Sequence, residues 1–146
     1  MTDLLTEGRR IARGLLELDF PASEFHHREH CLASACLIID QPGTDWEQEL
    51  PSIIRRYNLA MGGTNTDEAG YHETLTQFFL GEIRRFLAAH AALPPAAACQ
   101  ALLDSPIARK DHALTFYTRE RLYSRAARLR LVAPDRVPVD EAGVAL

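Results

Sequence analysis

The sequence predicts an all-α fold: a single domain, a helical bundle of four main helices followed by short C-terminal helices. Three observations predict it. Apolar residues recur at three- and four-residue spacing through most of the chain. Capping residues, prolines and glycines punctuate those stretches where helices begin and end. No segment longer than a few residues alternates apolar and polar positions as a half-buried strand does.

The first helix follows Thr2 or Asp3 as N-cap and sets Leu4, Ile11, Leu15 and Leu18 on one stripe. Gly8 and Gly14 each weaken it by up to about 1 kcal/mol relative to alanine, and Phe20-Pro21 ends it. Ser23 offers the cap of a second helix running to about Asp40. On that helix Phe25, Leu32, Ala33, Ala35, Cys36, Leu37, Ile38 and Ile39 leave almost no polar face, which marks a central helix covered on several sides. Asp40-Gln41-Pro42-Gly43 forms a turn, and Thr44-Asp45-Trp46-Glu47 has the form of a capping box.

Trp46, Leu50, Ile53, Ile54, Tyr57 and Met61 share one face of the third helix. Pro51 lies opposite and is expected to kink or split it; Gly62-Gly63 supplies the stop. Thr64-Asn65-Thr66-Asp67 is expected to cap a fourth helix, roughly Asp67 to Ala92. Its core face carries Leu75, Phe79, Ile83 and Phe86, with Tyr71 and His72 in the same arc. Pro94-Pro95 opens a short fifth helix that ends near Asp104-Ser105-Pro106. Thr118 and Ser124 each cap a short helix, and about 132–146, with Pro134 and Pro138, form an extended tail.

At 146 residues, 47% apolar and 25% charged, the chain has the size and composition of one soluble globular domain. Three cysteines, an odd number, argue against a disulfide framework and for a reducing, cytoplasmic setting. Met1-Thr2-Asp3-Leu4-Leu5-Thr6-Glu7 lacks the basic start and apolar run of a signal peptide. No apolar stretch approaches the roughly 20 residues of a membrane span. A net charge of −4 argues against a domain-wide nucleic-acid surface. The cations are fifteen arginines and one lysine, Lys110, which with the abundant alanine is the balance of a GC-rich bacterial genome.

Four of the six histidines fall in two short stretches, His26-His27-Arg28-Glu29-His30 and Tyr71-His72-Glu73-Thr74. His26, His27 and His30 lie within an arc of about 100° on a helix. Spacings of four (His26 and His30) and three (His27 and His30) both put two imidazoles on one side a turn apart, so either pair qualifies. An up-down-up arrangement makes the second and fourth helices parallel, which brings their starts, and the two stretches, to one end of the bundle. Three neutral imidazoles with an open position suit zinc, iron or nickel. A dinuclear carboxylate site is disfavoured, because only Glu24-Phe25-His26-His27 supplies a Glu-x-x-His motif. Without metal, the same groups suit proton transfer by His, Tyr and Glu near neutral pH. A third reading is a hydrogen-bonded cluster that only holds helices in register. Gly62-Gly63-Thr64-Asn65-Thr66, before a helix start, has the form of an anion-binding turn, although most such segments are ordinary turns. Arginines 119, 121, 125, 128 and 130 against Glu120 make a basic C-terminal patch suited to a partner or to solvent. Cys31 and Cys36 read as small core residues; Cys31 is a weak further candidate ligand.

Phe25-His26-His27-Arg28-Glu29-His30, then Tyr57-Asn58, then Tyr71-His72-Glu73-Thr74-Leu75-Thr76 resembles a family of small uncharacterised bacterial all-helical proteins. That family carries a Phe-x-His-x-x-His stretch followed by Tyr-His-Glu-Thr. The stretch from Phe116 to Ser124 is similar to its C-terminal part, so the resemblance spans most of 20–138. It implies that His27 and His30, rather than His26, are the recurring pair, and that Glu73 joins His72; it implies no reaction. Pro51, Cys31 and Cys36 depart from the pattern.

The expected site is a buried pocket of His27, His30, His72 and Glu73 beside Tyr71. His27, His30 and His72 are its metal ligands or hydrogen-bond anchors. Glu73, His72 and Tyr71 form the catalytic set, with Glu73 as base. His27, His30, Thr74 and Asn65 contact a small polar ligand. The opposing reading is a non-catalytic interaction domain with structural histidines and an arginine-rich partner surface; a homodimer is compatible with either.

Overall fold

In the computed structural model, which describes residues 3–136, the second helix is enclosed along its middle: residues 31–38 are all buried. The all-round apolar sequence of that segment dictates this, because no face can be left to water without exposing Leu, Ile or Cys. It is α2 (His27–Asp40), and it packs against α1 (Leu4–Glu17), α4 (Glu73–Ala89) and α5 (Pro95–Leu103). α3 (Trp46–Ala60) leans on α1 and α4. Short 3-10 turns at Pro106–Ala108 and Lys110–Thr115 lead to α6 (Arg119–Leu122) and α7 (Arg125–Leu129). Among the described residues there is no strand, and no helix is long and apolar enough to cross a membrane. The fold is all-α.

α1 is capped by Asp3, whose carboxylate accepts the Thr6 N–H at 2.7 Å; Thr2 lies outside the described residues. Gly8 has a use that its helix propensity hides. A Cβ there would lie 2.4 Å from Cys36 Sγ and 3.0 Å from Leu32 Cγ, so the missing side chain lets α1 rest directly on α2. α1 ends at Leu18, which takes a left-handed conformation (φ 61°) and returns its N–H to the Gly14 carbonyl. α2 starts four residues after Ser23. Ala22–Glu24 forms a 3-10 turn instead, and the Glu29 carboxylate reaches back to the His26 N–H at 3.1 Å, the second half of a capping box. His26 is therefore an exposed cap and not a helical residue.

α3 is capped by Asp45, one residue later than Thr44, through the Gln48 N–H at 3.3 Å. Pro51 neither splits the helix nor faces water; it is buried in an unbroken α3. Proline removes the N–H that would serve the Glu47 carbonyl four residues earlier. The Gln77 side-chain amide on α4 donates to that carbonyl at 2.8 Å, so a helix–helix contact supplies the missing bond.

The largest departure is the start of α4, at Glu73 instead of about Asp67. Thr66 Oγ1 accepts the Glu68 and Ala69 N–H groups at 3.2 and 3.0 Å, and this closes a local turn. Asn65 fastens the same loop: its Oδ1 accepts the Tyr71 N–H (3.1 Å) and the Asn58 amide (3.2 Å), and its Nδ2 donates to the Arg55 carbonyl (2.9 Å). Gly70 follows at φ 88°, a conformation glycine adopts without strain. α6 and α7 have the expected caps, Thr118 and Ser124. The described start of the tail is strapped down: buried Tyr117 donates its hydroxyl to the Val132 carbonyl at 2.7 Å. The rest of the expected tail, 137–146 with Pro138, lies outside the described residues.

Candidate functional site

The starts of α2 and α4 do come to one end of the bundle, and an open cleft of about 410 Å³ lies between them. Phe25, His26, His27 and His30 line it from the α2 side, and Leu75, Thr76 and Phe79 from α4. Lys110, on the turn after α5, completes it.

His27 is held on both sides. Its Nε2 lies 3.0 Å from the Ile107 carbonyl and 3.4 Å from Cys31 Sγ, and its ring meets Phe79 edge-on at 4.4 Å. A carbonyl only accepts, so Nε2 carries the proton and Nδ1 the lone pair. Burial lowers the pKa of this imidazole, outweighing the opposing pull of the Ile107 carbonyl. His30 is different. Among the described residues its ring makes no hydrogen bond and lies 5.5 Å from that of Phe25, and burial with His27 alongside brings its pKa down to about 4. At neutral pH it is an uncharged imidazole that opens on the cleft with its hydrogen-bonding capacity unused.

The Tyr71-His72-Glu73-Thr74 stretch lies elsewhere, and its polar groups serve the fold. Tyr71 donates its hydroxyl to the Glu73 carboxylate, and the Arg55 guanidinium covers its ring at 4.3 Å. Burial, then the bond to Glu73, raises the pKa of that hydroxyl. His72 is the N-cap of α4: its Nδ1 accepts the Leu75 N–H at 3.1 Å, and its Nε2 donates to the Leu122 carbonyl at 2.8 Å. Thr74 donates to the Arg130 carbonyl at 2.8 Å and accepts from the Val132 N–H at 3.2 Å. Glu73 borders a separate cleft with Asp45, Glu47 and Arg55. The structure thus brings His27 and His30 together and leaves His72, Glu73, Tyr71, Thr74 and Asn65 outside their cleft. Besides the histidines, Phe25, Leu75, Thr76, Phe79 and Lys110 belong to it and are outside the expected set; for Lys110 the available signal is that it is the single lysine among fifteen arginines.

These placements do not fit the expected metal set. Both ring nitrogens of His72 are committed to backbone groups. Among the described residues no three His, Cys, Asp or Glu side chains are placed to hold one metal ion. Part of the arginine patch is committed as well: Arg121 donates to the Ala133 carbonyl (2.7 Å), Arg128 to the Gly70 carbonyl (2.8 Å), and Arg125 pairs with Asp67.

The neutral imidazoles make stability pH-dependent. Unfolded, His30 takes a proton near 6.5; folded, only near 4. Its contribution is complete above pH 6.5 and is lost as pH falls towards 4, on the order of 3 kcal/mol in total. His27 and His72, also lowered, add with the same sign. Urea unfolding at pH 7 and pH 4.5 is expected to show the loss, and His30→Phe to flatten it; an equally steep profile in His30→Phe excludes His30 as its source.

Fold and site together define an all-α domain with an open, imidazole-lined cleft between two helix starts. No protein-family model, curated protein or solved structure matches the chain.

Proposed function

We propose that this chain binds a small ligand in the cleft between α2 and α4, with the neutral imidazoles of His27 and His30 as its hydrogen-bonding groups. One observation carries the reading: the His30 ring lines the cleft, is kept neutral by burial, and has no hydrogen-bond partner of its own among the described residues. No side-chain nitrogen of His30 is closed off without a partner, so its free hydrogen-bonding capacity is open to a molecule that enters the cleft. His27 adds a fixed geometry, with Nε2–H anchored on Ile107 and Nδ1 free to accept. An anchored imidazole with one free lone pair is also suited to take a proton from a bound molecule, so His27 is the base if the ligand is a substrate. A divalent metal has less support, because His27 and His30 have no third ligand at hand. A partner surface built on the C-terminal arginines has less support for the reason that three of them hold the tail and the 62–72 loop. The three cysteines are buried and free, in keeping with the reducing, cytoplasmic setting we propose.

Imidazole resonances, followed by NMR during a screen of small acids, alcohols and amides, test this. Binders are expected to shift the ring signals of His27 and His30, and His30→Phe to weaken them about tenfold, the loss of one useful hydrogen bond. Unchanged affinity in His30→Phe, or shifts confined to other residues, sinks the proposal. Saturable zinc binding abolished by the same substitution would replace it with the metal reading.

A further inference from the structure

We infer that Cys36 and Cys99 are a reversible disulfide site, oxidised by a small peroxide that reaches Cys36 through a cleft between α1 and α2. The inference is independent of the binding reading above.

The placement of the two thiols carries it. Cys36 lies on α2 and Cys99 on α5, helices that pack directly on each other. Both are free thiols, and their side chains are hydrogen-bonded to one another. α1 closes the third side of the junction. The bare backbone at Gly8 leaves room for Cys36 Sγ, which a Cβ there would approach to 2.4 Å, and the Leu5 carbonyl lies 3.9 Å from the same sulfur. These neighbours hold the Cys36 sulfur beside Cys99.

A buried thiol is ordinarily inert. Cys36 differs in lining an open cleft of about 320 Å³, whose other walls include Arg9, Arg13, Glu17 and Asp40. With 1% of its surface accessible, it admits an oxidant little larger than water and excludes a bulky one such as glutathione disulfide. Cys31 supplies the contrast. It precedes Cys36 by five residues and so stands about 140° round α2. Its Sγ is 3.4 Å from His27 Nε2 and 3.8 Å from the Ile107 carbonyl, and burial pushes its thiol up to about 12.

Oxidation of the pair takes two displacements. A thiolate of the pair attacks one oxygen of hydrogen peroxide: an S–O bond forms, the O–O bond breaks, and hydroxide leaves with the electron pair, taking up that thiol's proton as water. The neighbouring thiol then displaces the remaining oxygen from the sulfenic acid. The S–S bond forms, the S–O bond breaks, and the second thiol's proton leaves with that oxygen as water. The peroxide gains the two electrons that the sulfurs lose, and a dithiol reverses the bond by exchange. Disulfides of this transient kind are those found in reducing compartments. The bond ties α2, which carries His27 and His30, to α5, which leads into the turns carrying Ile107 and Lys110.

Peroxide treatment of the folded full chain, followed by unfolding, alkylation and peptide mapping, tests this. The expected product is about 2 Da lighter than the reduced chain. It contains a Cys36–Cys99 cross-link, leaves Cys31 to be alkylated, and returns to three alkylated cysteines after dithiothreitol. Cys31→Ser is expected to form the same bond, and Cys36→Ser and Cys99→Ser to form none. Three alkylatable cysteines after peroxide, or sulfinic and sulfonic acids in place of the cross-link, overturn the inference. So do a bond that involves Cys31, a cross-link that forms only once urea has unfolded the chain, and equal cross-linking by glutathione disulfide.

Discussion

Replacing His72 by alanine is expected to cost about 2–4 kcal/mol of folding stability and to leave the cleft's ligand affinity unchanged in the fraction that folds. Two losses add. The Leu75 N–H at the start of α4 loses its cap, worth about 1 kcal/mol. The Leu122 carbonyl, 50 residues away in sequence, is left facing a hole with no donor, worth about 1–3 kcal/mol. His72 is 7% exposed, so water does not readily replace the ring. His72→Asn separates the two parts, since asparagine is a good N-cap that is too short to reach Leu122; it is expected to recover about 1 kcal/mol. Urea midpoints with an unchanged m-value give the measurement. A His72→Ala protein of native stability that no longer binds ligand would return His72 to the site.

That reversal of roles shows where the sequence is readable and where it is not. The enclosure of α2 is written in consecutive residues, and the caps Asp3, Thr118 and Ser124 act within three residues of themselves, so local pattern suffices. The meeting of the two helix starts followed from counting helices, because three consecutive antiparallel segments return the chain to the same end. The start of α4 was not readable for a specific reason. Thr66 and Asn65 are residue types that cap helices and close turns equally well, and the choice is made by Asn65 reaching Arg55 and Asn58 on α3. Once α4 begins at Glu73, His72 passes from a side chain on the helix face to its cap. The partners that separate His72 from His30 are also distant. Leu122 and Ile107 belong to the C-terminal part, where no periodic pattern exists, and Ile107 lies 80 residues from His27. Pro51 makes the same point, since the amide that repairs its helix sits on Gln77.

The loop that carries Tyr71 and His72 offers a controlled comparison between two glycines. Gly62 and Gly70 share the same positive φ, 88°, so alanine at either pays a positive-φ penalty of about 1–2 kcal/mol. They differ in what a methyl group would meet. At Gly62 nothing lies within 4 Å, whereas at Gly70 the new Cβ would fall 1.7 Å from the Thr64 carbonyl oxygen and 2.9 Å from Asn65 Oδ1. The obstacle is backbone, held by the Asn65 bonds to Tyr71, Asn58 and Arg55, so no side-chain rotation relieves it. Gly62→Ala is expected to cost about 1 kcal/mol, and Gly70→Ala a further 2–3 kcal/mol or so from forced displacement of packed atoms. Paired urea titrations measure the difference directly, and equal costs would mean that the loop yields without resistance. Because backbone strain is common to both, the excess at Gly70 measures how firmly the loop is closed. That closure fixes where α4 begins, and with it the wall of the cleft that Leu75, Thr76 and Phe79 provide.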